Sequence, residues 1–132
     1  MKKIVYLLGN PLLTTDSIPI KLLPQLKKFC PDVSFQIFDP TEELQFDTKQ
    51  NLIVIDAVVG IDKVTQFHDL DSFSFSPRVT VHDFDLLINL KILQKLKRVK
   101  DITIIGVPTK GKNRVILKEI INALHNQLTF KK

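Results

Sequence analysis

Three side chains of ligand type, Asp16, Asp56 and His82, each stand just after an apolar, β-branched run of the sequence. Two carboxylates and an imidazole are the oxygen and nitrogen donors that suit a borderline divalent metal ion. The same groups also do acid–base work. A carboxylate takes a proton from water, and a neutral imidazole either ligates a metal or carries a proton. Far apart in sequence, they meet only if the runs before them are strands of one parallel sheet. Such strands end on a common edge, and ligands of open α/β sheets bind outside that edge.

Each residue also has a plainer role open to it. Asp56 interrupts the apolar run 52–59. A carboxylate there is costly unless it is hydrogen-bonded, paired or metal-bound, which makes it the strongest single candidate. Asp16 closes the loop 9–16, and an Asp before a helix equally serves as its N-cap. His82 precedes Asp83 and Asp85, either of which orients the imidazole or caps the next helix. His68 and His125 read as surface histidines. Cys30, the only cysteine, excludes an internal disulfide and a cysteine-rich zinc site; its place after a helix and before Pro31 reads as structural. Walker, dinucleotide, nucleophile-elbow and His-Glu-x-x-His signatures are all absent from the sequence.

The elements that position these residues follow from periodicity. Residues 4–8 read as a strand. Residues 17–29 read as a helix, with Ile18, Leu22, Leu23 and Leu26 on one face. Pro19 suits its first turn, whereas Pro24 predicts a kink or a delayed start. Strands are predicted at 33–38, at 52–59 as a doubly covered central strand, at 78–81 and at 102–107. A short helical turn is expected at 40–44, capped by Asp39. A weaker strand at 63–67, after a turn at 60–62, is the one expected to run antiparallel. Helices are predicted at 84–96 and 115–128. Gly9, Gly60 and Gly106 follow strand runs, where the backbone turns sharply or a ligand comes close. The alternation predicts an α/β fold, a mostly parallel sheet with helices on both faces.

Composition bounds the rest. The chain has 132 residues, 44% hydrophobic and 25% charged, which fits one globular domain over 1–132. No apolar run reaches the roughly 18 residues of a membrane span, so no membrane insertion is expected. The apolar start breaks at Gly9-Asn10-Pro11 and reads as a first strand rather than a leader, so a cytoplasmic protein is expected. The formal charge is +5. Its basic residues fall in several short groups without interleaved aromatics, which argues against nucleic acid. A basic surface steers an acidic protein partner instead.

In order along the chain stand Gly9-Asn10-Pro11-Leu12-Leu13-Thr14-Thr15-Asp16, Leu52-Ile53-Val54-Ile55-Asp56-Ala57, His82-Asp83-Phe84-Asp85-Leu86 and Ile104-Ile105-Gly106-Val107-Pro108. In this pattern the chain resembles the hydrogenase maturation proteases over nearly its whole length. The resemblance implies a three-layer α/β/α sandwich with a five-stranded, mostly parallel sheet. It implies an aspartic-type endopeptidase that removes a short C-terminal extension from the large-subunit precursor of a nickel–iron hydrogenase. Cleavage in the family follows nickel insertion, and the precursor's nickel is the recognition signal, so no permanently bound cofactor is expected. Asp16, Asp56 and His82 take the positions of the family's nickel-contacting acid, acid and histidine. Two routes to an activated water stay open, Asp16 as general base or the precursor's nickel polarising the carbonyl or the water, and the protein is expected to be a monomer. Thr15 stands where a second acid is common, Pro19 where a glycine is usual, and residues 39–43 where the family has a glycine-rich segment. These departures imply a divergent branch acting on a different precursor. A non-catalytic module of the same fold, sensing nickel or escorting the subunit, is the alternative. An unrelated small α/β hydrolase with Asp16 as base is a third.

Overall fold

Pro31 fixes the first corner of the fold. In the turn from Cys30 to Val33 it takes the second position, where its locked φ is favoured, and the Val33 N–H donates to the Cys30 carbonyl at 3.1 Å. The turn joins a helix to a strand in a computed structural model that describes residues 3–8, 17–38, 52–58, 61–68, 90–92, 94–96 and 101–129. In chain order these give β1 (Lys3–Leu8), α1 (Ser17–Phe29), β2 (Val33–Phe38), β3 (Leu52–Val58), β4 (Thr65–Phe67), β5 (Ile102–Pro108) and α2 (Asn113–Thr129). Residues 90–92, 94 and 95 are also helical. The expected turn at 40–44 and strand at 78–81 lie outside the described residues.

The strands form a five-stranded sheet in the order β2-β1-β3-β5-β4. All neighbours are parallel except β4, which runs antiparallel to β5. Alternation along the strands divides the sheet into two faces. Val5, Leu7, Ile53, Ile55, Ile105 and Val107 join one cluster with Leu22 and Leu26 of α1 and Ile120 and Leu124 of α2. Leu52, Val54, Ile102 and Ile104 point the other way, yet each is at most 2% exposed. Leu90, from the third helical segment, is fully buried and stands apart from the α1–α2 cluster. The sheet is therefore covered on both faces, as the unbroken apolar runs of β3 and β5 require. The α/β/α class expected from the sequence is the one observed.

Two local expectations are corrected. Pro24 does not delay the start of the helix. It begins at Ser17 and runs through the proline, because Leu22 and Leu26 bury their side chains on either side of it while Pro24 faces outward. Gly106 is not a turn residue after a strand. It lies inside β5, for a reason given below.

The short strand β4 is tied to α2 by polar side chains. The Val64 N–H donates to Glu119 Oε1 at 3.4 Å. Gln127 Nε2 donates to Gln66 Oε1 at 2.7 Å, and Thr103 Oγ1 donates to Gln127 Oε1 at 3.4 Å. These bonds supply what its three half-buried residues lack in apolar burial. No helix among the described residues is long and apolar enough to cross a membrane.

Candidate functional site

The strand order reverses direction between β1 and β3. After β1 the chain passes through α1 to β2 on one side, and β3 leads toward β5 and β4 on the other. In an open α/β sheet the crevice outside the carboxyl ends at such a reversal is where ligands bind. β3 carries Asp56 two residues before its carboxyl end.

Asp56 is fully buried, the one charged side chain so placed among the described residues. It lies between Ile55 and Ala57, so alternation turns it to the face opposite α1 and α2. Stripping water from a carboxylate costs several kcal/mol even after relaxation. An aliphatic residue, like every other member of β3, would avoid that cost. The acid is thus kept for what it contacts rather than for packing.

Register defines its row across the sheet. Asp56 is level with Gly106 of β5, and Gly106 with Thr65 of β4. Gly106 leaves a gap beside the carboxylate that its neighbours fill. A Cβ there would stand 3.0 Å from Cε2 of Phe67 and 3.1 Å from Cγ2 of Val58. The Phe67 ring therefore reaches from the edge strand onto β5, on the face where Asp56 points. Sequence reading missed Phe67. The signal was present, since a glycine inside an apolar strand run marks a close approach by another group.

Asp16, His82, Asp83 and Asp85 lie outside the described residues; α1 begins at the residue after Asp16. Among the described residues no three His, Cys, Asp or Glu side chains are grouped to hold a metal ion. Of the sequence-predicted trio, Asp56 is the one placed, at the expected edge. His68 and His125 are exposed, as read from their polar settings. Cys30 is buried where α1 hands over to β2, at the opposite edge of the sheet. Burial pushes its thiol pKa up, the reverse of what activates a nucleophile. Its structural reading holds.

No family model matches the chain, and no curated relative does. Solved structures do match. Hydrogenase maturating endopeptidase HybD from E. coli superimposes with a TM-score of 0.65 at 18% identity, over 95% of this chain and 93% of that one. An endopeptidase from Escherichia coli gives 0.68 at 22% identity, over 96% and 94%. A hydrogenase 2 maturation peptidase from a Thaumarchaeota archaeon gives 0.60 at 14% identity, over 96% and 98%. Across nearly its whole length, this chain has the fold of the hydrogenase maturation endopeptidases.

Proposed function

We propose that the chain is a peptidase of the hydrogenase maturation type, which removes the C-terminal extension of a nickel–iron hydrogenase large-subunit precursor after nickel insertion. The observation that carries this reading is Asp56. It is a fully buried carboxylate at the carboxyl end of a central strand, beside the reversal of strand order, in a chain with the fold of solved maturation endopeptidases. The order of the Asp16, Asp56 and His82 segments along the sequence supports it further.

In this reading the nickel belongs to the substrate. Asp16, Asp56 and His82 read it, offering oxygen and nitrogen donors that suit divalent nickel while leaving coordination positions open. The docked precursor then lays its scissile peptide along the rim. Asp16 acts as general base, taking a proton from the water that adds to the carbonyl. The C–N bond breaks and the leaving amine receives the proton. Asp56, fixed inside β3, holds and orients. The protein acts as a single cytoplasmic domain.

The test is the intact mass of a nickel-loaded precursor incubated with the protein. Wild type is expected to release the C-terminal peptide. Asp56→Asn keeps the shape of the side chain but removes its charge, and is expected to slow release at least about 100-fold, the scale on which losing a metal-directed contact is felt. Asp16→Asn and His82→Ala are expected to do the same. Unchanged cleavage by Asp56→Asn would remove the carboxylate from the mechanism.

A further inference from the structure

A second charged feature shares the carboxyl rim with Asp56. β5 ends at Pro108, level with Val58 of β3, and the chain then passes through residues 109–112 into α2. Lys110, Lys112 and Arg114 are all exposed there. Lys63 is exposed as well. Thr65, the first residue of β4, is level with Gly106 in the antiparallel pairing, so the segment that carries Lys63 enters β4 at the carboxyl end of β5. On the two segments 61–64 and 109–116, four cations thus face one carboxylate, Asp62. Glu119, the next acid along α2, has an oxygen turned to the Val64 N–H.

The loop that presents these charges is held in shape. Gly111 has φ +136°, and a Cβ on it would meet Ile116 Cδ1 at 3.2 Å, so the backbone lies directly on the first turn of α2. The Lys112 carbonyl accepts from the Val115 and Ile116 N–H groups at 3.1 and 3.0 Å. Lys110 is four residues beyond Gly106, the partner of Asp56. At most about 14 Å of extended chain separates the loop from the carboxylate's row. A peptide lying across the rim spans both.

We propose that Lys63, Lys110, Lys112 and Arg114 form a docking surface for an acidic peptide segment. Resting on the peptidase reading, that segment belongs to the precursor, close to the bond that is cut. Charge complementarity selects the ligand class and speeds encounter. A peptide is favoured over nucleic acid because the surface adjoins the carboxylate's edge and neither segment contains an aromatic side chain for base stacking.

The test begins with an octaglutamate peptide titrated into the isotopically labelled full chain and followed by amide chemical shifts. Shifts are expected at Lys63 and residues 109–114. The affinity is expected to fall roughly tenfold or more in Lys110→Glu/Lys112→Glu/Arg114→Glu and to weaken in 0.3 M salt, as screening of exposed charges requires. Charge-neutral Lys110→Gln/Lys112→Gln/Arg114→Gln is expected to lose part of it, with the fold checked by circular dichroism. Lys27→Glu/Lys28→Glu, a reversal at the far end of α1, is expected to bind within twofold of wild type. The proposal is overturned if the shifts gather elsewhere, if the α1 control loses as much, or if an octauridylate of equal charge binds more tightly. The precursor assay separates the two readings. Rim binding by a wild-type protein that cuts no precursor rejects the peptidase and keeps the surface. Cleavage by the charge-reversed variant with an unchanged KM rejects the surface and keeps the peptidase.

Discussion

At the scale of single residues, burial makes different statements about Asp56 and Cys30. The strand around Asp56 offers only aliphatic neighbours along its length, so the acid is an exception that its contacts must justify. Cys30 is no exception: it packs like a small apolar side chain at the edge away from Asp56. Its thiol and the Tyr6 phenol are both raised by burial. The unfolded chain gives up these protons at lower pH than the folded one. Stability therefore falls as pH rises past the ordinary thiol value of 9.0 and is unaffected by Cys30 below it. Denaturant unfolding between neutral and alkaline pH is expected to show a decline that is shallower in Cys30→Ala than in wild type. Identical slopes in the two proteins would contradict this.

At the scale of elements, α1 and β5 each contain a residue that breaks a local rule. Pro24 removes an amide donor from the interior of α1 at an outward-facing position. Pro24→Ala should restore the bond to the Ile20 carbonyl and raise stability by about 1–3 kcal/mol, the range set by the cost of proline inside a helix. A loss of stability would mean that the ring itself packs usefully. Gly106 has the opposite character, since its missing side chain is what admits the Phe67 ring and Val58. Gly106→Ala is expected to cost about 1–3 kcal/mol through overpacking, with Phe67→Leu recovering part of it. A stable Gly106→Ala protein with unshifted Phe67 ring resonances would show the gap to be unneeded. These two residues also mark where sequence reading succeeded and failed. The span of α1, Ser17–Phe29, and that of β2, Val33–Phe38, were legible from apolar spacing. β4 shrank from the expected 63–67 to Thr65–Phe67 because side-chain bonds to α2 hold it rather than its own pattern. The Gln66–Gln127–Thr103 chain joins residues 24 and 61 positions apart, and no local period announces such a contact.

At the scale of the whole molecule, topology turns separated residues into one rim. A parallel sheet whose order reverses between β1 and β3 gathers its carboxyl ends, so Asp56 and the basic loop before α2 stand at the same edge of the sheet. Asp56 was legible because a lone acid in an apolar strand run is conspicuous. The Lys63–Arg114 surface was not, because its members lie on two segments far apart in sequence, one entering β4 and one leaving β5, which the antiparallel β4–β5 pairing brings to the same end of the sheet. The account's central claim is that this rim reads a metal carried by a protein substrate and cuts beside it. Mass spectrometry of one large-subunit precursor, prepared with and without nickel and incubated with the wild-type protein, tests it most directly. The account predicts loss of the C-terminal peptide from the nickel-loaded form alone; equal cleavage of both forms, or of neither, would contradict it.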